Sequence, residues 1–250
     1  MLGKWRGVQN KQHFHTDAQK AKSKKPGYTS YYDDEWMLCK SELNVVDSKF
    51  QSIRGINVGT FKISFMEKGD IQESARVLSV AMLNNPLHVA IFQGKGEKER
   101  IEIEKMFYKL LVELPGIVCL VKERQKIIGV MRMKSCDGHK TTDHPKESKV
   151  ENDISWRKSI WLSEWAHHDP TDQHWHLGPI GILPSHQGSG IGSELMRRFC
   201  KEVDACLAKA YLETDLDKNV RFYEKFGFNV VSETEIFHVN NRYMLRALKT

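Results

Sequence analysis

Three glycines fall within five residues at Gly188, Gly190 and Gly192. Glycine has no Cβ, so a backbone built from it can lie directly against a ligand. An apolar stretch from His176 runs through Pro184 into this turn, and a helix-periodic segment follows at once. The free N–H groups and dipole of a helix's first turn suit a phosphate. Residue types and order therefore point to a phosphorylated cofactor held by backbone along Gln187-Gly188-Ser189-Gly190-Ile191-Gly192.

The elements that must position this turn are legible. Ile191, Leu195, Met196, Phe199, Val203, Cys206 and Leu207 form a 3.6-residue stripe, with Glu194, Arg197, Arg198, Lys201, Glu202 and Asp204 opposite. A strand at residues 210–215 follows, so strand, glycine turn, helix and strand make a β-α-β unit. A dinucleotide would suit such a unit, and Gly188, Gly190 and Asp215 imitate that fingerprint. The third glycine of the fingerprint, however, would fall at Ser193.

The next segment favours coenzyme A. Gln187-x-x-Gly190-x-Gly192 is followed by Asn219-x-x-x-Tyr223-x-x-x-Gly227-Phe228. Together these resemble the GNAT superfamily of acetyl-CoA-dependent N-acetyltransferases. The resemblance spans roughly residues 59 to 250 and is tightest over 175 to 230. It implies an α/β fold with a mixed, mostly antiparallel sheet, splayed central strands and helices on both faces. It also implies that pantetheine lies in the splay against the backbone of Ile180 and Ile182, with Gly181 between them. The N–H groups of Gln187, Gly188, Ser189, Gly190, Ile191 and Gly192 would hold the pyrophosphate of acetyl-CoA. Asn219 would bond the cofactor arm, and Tyr223 would face the thioester sulfur.

Acetyl transfer to an amine needs a neutral nucleophile, a stabilised oxyanion and a proton for the departing thiolate. Tyr223 is the expected general acid. His176 lies eleven residues before Gln187, where some family members place a basic glutamate. A histidine titrates near neutrality and can take an amine proton. Glu213 and His174 are further candidates, and a relay through water would need no single base.

Residues 161–175 gather Trp161, Trp165, Trp175, His167, His168 and His174 with several carboxylates. The expectation is a substrate wall of Trp161, Trp165, His174 and Trp175, or else a loop pinned to the core by its indoles. A metal is not expected, although His167, His168, Asp169, Asp172 and His174 are ligand types. No paired-histidine spacing appears and no cysteine lies close in sequence.

Composition bounds the function class. The chain has 250 residues, 40% of them hydrophobic, and a formal net charge of +6. Residues 1–27 carry seven Lys or Arg and one acid, so that segment alone matches the net charge. The body is near neutral and does not read as a nucleic-acid binder. Residues 1–58 are expected to be a basic, disordered extension and lead-in, with the catalytic domain at 59–250. The five cysteines show no paired spacing, which suits a reducing, cytoplasmic compartment. No segment reads as a membrane span or signal peptide.

Within the domain the pattern predicts a strand at 61–65 and helices at 71–83 and 101–114. A hairpin at 117–121 and 127–133 and a long polar insertion from 134 to about 160 follow. Strands near 177–183, 228–235 and 242–248 complete the sheet. The expected acceptor is a primary amine on a small molecule, with a protein lysine or N-terminus second and a silent acyl-CoA sensor third. A homodimer is compatible with the chain.

Overall fold

In the computed structural model, residues 61–138 and 152–248 are described in full and 56–58 as backbone. They belong to the unit running from Asp47 to Thr250. The basic extension and residues 139–151 of the polar insertion lie outside the described residues.

Eight strands form one sheet in the order β1-β2-β3-β4-β5-β6-β8-β7. They are β1 (Ile56–Val58), β2 (Phe61–Phe65), β3 (Ile117–Glu123), β4 (Lys126–Cys136), β5 (His174–Ile182), β6 (Lys209–Thr214), β7 (Asn229–Ile236) and β8 (Val239–Arg246). Every neighbouring pair is antiparallel except β5 with β6. In β4 the seven residues from Ile127 to Met133 are all buried. A strand buried on both faces must be covered on both, so helices flank this sheet. β7 instead alternates between exposed and half-buried residues, as an edge strand does.

Among the described residues six α-helices flank the sheet: α1 (Ile71–Met82), α2 (Pro86–Phe92), α3 (Glu97–Glu113), α4 (Ile154–His168), α5 (Ile191–Ala205) and α6 (Asp217–Glu224). α1 and α5 both pack against β4 and β5. Val77, Leu78, Ile91, Ile103, Phe107, Leu120 and Val130 centre the core between α1, α2, α3 and the sheet. No described helix is long and apolar enough to cross a membrane.

Two elements differ from the sequence expectation. Between the two helices expected at 71–83 and 101–114, Pro86 opens a further helix, α2, at a position where a missing N–H costs nothing. Asn85 caps that helix through His88 N–H at 2.9 Å. The stretch assigned to a long insertion also contains the end of β4 and the first two turns of α4. Asp153 starts α4 by accepting from Trp156 N–H at 2.6 Å. At the far end of α5, Leu207 is no part of the apolar stripe. The helix has ended, Leu207 adopts φ 50°, and it is 74% exposed.

Candidate active site

β5 and β6 run together only where His174, Trp175 and His176 face Lys209, Ala210 and Tyr211. Beyond His176 no further β5–β6 pairs form, while β5 stays paired to β4 as far as Ile182. The register of β4 against β5 shifts between Met131 and Met133, opposite the same stretch. Such an irregularity bends a strand away from its neighbour. The backbone edge of residues 177–182 that faces β6 is therefore open, and a wedge separates the two strands.

The wedge leads to the glycine turn. Gly188 and Gly190 have φ of 79° and 87°, a conformation that side chains with a Cβ rarely adopt. A Cβ built on either would meet nothing within 4 Å, so the turn borders open space. Gly190 is the N-cap of α5 and supplies no side-chain cap. The first-turn N–H groups of Ile191, Gly192 and Ser193 have no partner within the helix. This is a cradle for an anion with a helix dipole behind it.

Not every donor assigned from sequence is free. Gln187 N–H donates to the Pro184 carbonyl at 3.3 Å, and its side-chain Nε2 donates to the Ile182 carbonyl at 3.0 Å. Ser189 Oγ donates to the His186 carbonyl at 2.6 Å. Gln187 and Ser189 thus brace the loop through their side chains, Gln187 also spends its N–H within the loop, and the N–H groups of Gly188, Ser189, Gly190, Ile191 and Gly192 remain as the anion-facing backbone. Gly181 sits where a Cβ would come within 3.0 Å of Leu78 and Ala81, so it lets α1 close on β5.

α6 lies beside the loop: Phe222 would touch a Cβ on Gly192 at 3.6 Å. Tyr223 follows it, is 7% exposed, and packs against Phe222 and Phe228. Burial, reinforced by the carboxylates of Asp215 and Glu213, pushes its phenol well above the ordinary value. The phenol therefore keeps its proton. Asn219, four residues earlier on the same helix face, donates to Thr214 Oγ1 at 3.2 Å. Asp215 is no ribose-binding acid. It accepts from Leu87 N–H at 2.8 Å and from Asn85 Nδ2 at 2.7 Å, and so holds the start of α2.

The two base candidates meet each other. His176 Nε2 and Glu213 Oε2 are 2.9 Å apart, and the Glu213 side chain is 3% exposed. Nδ1 of His176 is buried without a hydrogen-bond partner, 3.7 Å from Asp169 Oδ1. Both nitrogens thus face carboxylates. His174 lies in the same cluster with its side chain fully buried. The ring of Tyr211 stands edge-on to both imidazoles, at 5.7 and 5.4 Å.

The sequence reading of residues 161–175 as one substrate wall is corrected here. Trp161 is 5% exposed and belongs to the core, edge-on to His88 and Trp165. Trp175 is equally buried in β5. Trp165 is partly buried and donates to Asn241 Oδ1 at 3.4 Å. The segment is a helix, a turn and a strand rather than a loop, so its aromatics point inward. No cysteine lies close to these histidines in sequence, but the fold brings one to them. Cys136 pairs directly with His174 across β4 and β5.

Cys136, Asp169, His174 and His176 place one donor atom each within 4.8 Å of the others. Burial alone would raise the Cys136 thiol, but interactions with His174 and His176 bring it down to about 6. Burial alone would lower both imidazoles, yet they are raised. His174 reaches about 10 through Asp169 and Cys136, and His176 about 9 through Glu213 and Cys136. The Asp169 carboxyl is held below its usual range by the two imidazoles in spite of burial.

The sequence profile described as the acetyltransferase (GNAT) family matches residues 86–228. Solved structures share the fold. One is titled histone acetyltransferase HPA2 and related acetyltransferase, from Corynebacterium glutamicum, with a TM-score of 0.58 and 15% identity over 77% of this chain and 98% of that one. A mosquito arylalkylamine N-acetyltransferase-like protein aligns with a TM-score of 0.57 and 13% identity, over 75% of this chain and 100% of that one. The Drosophila melanogaster polyamine N-acetyltransferase aligns at 0.56 and 11%, with the same coverage.

Proposed function

Since this chain belongs to the acetyltransferase (GNAT) family, we propose that it transfers an acetyl group from acetyl-CoA directly to a primary amine, without an acyl-enzyme. The observation that carries this reading is the wedge. β5 leaves β6 after His176 and ends at a turn of two left-handed glycines on an uncapped helix. Pantetheine amides would pair with the open edge of Ile180 and Ile182, displacing the Gln187 side chain from the Ile182 carbonyl, and the pyrophosphate would lie on the backbone of Gly188–Gly192. Backbone N–H groups of the open strand edge would stabilise the oxyanion.

Tyr223 supplies the proton to the departing thiolate. Burial raises its pKa and so keeps it protonated until charge develops on sulfur. Asn219 would turn from Thr214 to the cofactor arm. The amine loses its proton through water, because His176 Nε2 and Glu213 Oε2 are engaged with each other. A small-molecule amine is the first acceptor to test and a protein amine the second, since one fold serves many acceptors. A reducing, cytoplasmic setting is the reading we favour, since Cys119, Cys136, Cys200 and Cys206 form no disulfide among the described residues.

The test is acetyl-CoA-dependent thiol release on polyamines, arylalkylamines, amino acids and short lysine or N-terminal peptides, with Tyr223→Phe in parallel. Removing a general acid should lower kcat by about 10²- to 10⁴-fold. The affinity for acetyl-CoA should stay within about twofold, because the phenol acts in the transition state. Equal turnover would remove Tyr223 from the mechanism. Tight acetyl-CoA binding with no turnover on any amine would favour a sensor.

A further inference from the structure

We propose that Cys136, Asp169, His174 and His176 form a closed, four-coordinate zinc site beside the wedge. The residues converge from three places in the fold: the end of β4, the turn after α4, and the head of β5. A tetrahedral ion with bonds of about 2.0–2.3 Å spaces its donors roughly 3.3–3.8 Å apart. Asp169 Oδ1 lies 3.8 Å from His174 Nε2 and 3.7 Å from His176 Nδ1. These separations are too long for hydrogen bonds and suit two donors on one ion.

Three of the donor atoms are orphans. Asp169 Oδ1, His174 Nε2 and His176 Nδ1 are all buried, and none has a hydrogen-bond partner. Buried polar atoms without partners are rare, and three that face one another are rarer still. A single cation satisfies all of them. Cys136 completes the set from the residue directly opposite His174.

The outer contacts are those that aim histidines at a metal. The other nitrogen of His174, Nδ1, lies 2.8 Å from the Asp172 carbonyl. The other nitrogen of His176, Nε2, lies 2.9 Å from Glu213. Each contact holds a proton on the outer nitrogen and leaves the lone pair on the inner one. A thiolate and a carboxylate balance a divalent charge. The sulfur and two imidazoles select zinc over magnesium or calcium, which take oxygen donors.

With four protein donors no position is left for substrate, so the ion is structural. It would pin the end of β4 and the α4–β5 turn to the strand that opens the wedge. His176 is then a ligand and Glu213 its positioning residue. This inference goes beyond acetyl transfer and stands or falls separately from it.

The experiment is titration of the full-length, metal-stripped chain with cobalt(II), then with zinc. We expect one equivalent of cobalt to give a thiolate-to-metal charge-transfer band and the strong visible absorption of four-coordinate cobalt. One equivalent of zinc should abolish both. Cys136→Ser should lose the charge-transfer band, and His174→Gln should lose stoichiometric binding, with each variant's fold checked by circular dichroism. Zinc should also raise the Tm of the wild type and slow alkylation of the Cys136 peptide, whatever the variants do. Absence of stoichiometric binding to the wild type would overturn the proposal. So would a six-coordinate spectrum, or a charge-transfer band unchanged in Cys136→Ser.

Discussion

The glycine turn and the imidazole–thiol cluster adjoin opposite ends of β5 and are built in opposite ways. The turn is contiguous in sequence, open to solvent, and works through backbone that no side chain covers. The cluster is drawn from three segments, combines the buried His174 with three half-buried residues, and works through side chains that only the folded sheet brings together. One offers partial charges to a ligand that arrives from outside. The other confines formal charges that must be balanced within the protein. The difference explains why fold and cofactor chemistry are readable early in such a chain while its buried electrostatics are not.

The sharpest way to break this comparison is to damage one region and read both. Gly190→Val forces a β-branched residue into φ 87° at the cap of α5. Affinity for acetyl-CoA should fall by about a thousandfold, or ~4 kcal/mol. Cobalt uptake by the cluster should be unchanged, as should far-ultraviolet circular dichroism. Calorimetric titration of both ligands on one preparation checks this. Joint loss of both sites would mean that they are one cooperative unit.

What the sequence revealed follows the same division. The α5 stripe, the glycines and the Tyr223 helix lie within about fifty residues, and local periodicity and spacing report them directly. The strand partners of the cluster are not local. Cys136 reaches His174 only through the register of β4 on β5, so a search along the chain for nearby cysteines could not find it. Arg198 and Glu202 were placed on the solvated face by their charge, yet both are buried, with Arg198 at 5.7 Å over the Phe65 ring. A charged residue three or four places from an apolar one looks solvated until its neighbour in the fold is known. The missed helices did carry signals: Asn85-Pro86 and Asp153 are cap residues, and cap chemistry would have identified both.

A second buried imidazole tests whether burial or company sets the cluster's charge. His88 is buried among Phe92, Phe107 and Trp161 with no carboxylate partner. Desolvation, helped by the Lys158 ammonium, lowers it to about 4. Its folded state stays neutral while the unfolded chain takes a proton near pH 6.5, so stability is lost as pH falls between those values. The loss amounts to about 3 kcal/mol. Urea unfolding of wild type and His88→Leu at pH 7.5 and 4.5 should show the wild type losing that much more than the variant. Parallel losses would mean that His88 does not carry the acid limb.

The smallest and most diagnostic change is Glu213→Gln. It keeps the shape of a side chain that is 3% exposed and removes its charge beside His176 Nε2. If Glu213 only positions a ligand, the loss is the second-shell one, about 10- to 100-fold in metal affinity. The cobalt spectrum should keep its thiolate band, since all four donors remain, and KM for acetyl-CoA should hold. If Glu213 were instead the general base, kcat would fall by about 10²-fold or more at neutral pH while cobalt affinity stayed put. The two readings move different observables on a single variant. Competition between cobalt and a chelator, measured beside steady-state kinetics, therefore decides whether this carboxylate serves the buried cluster or the open wedge.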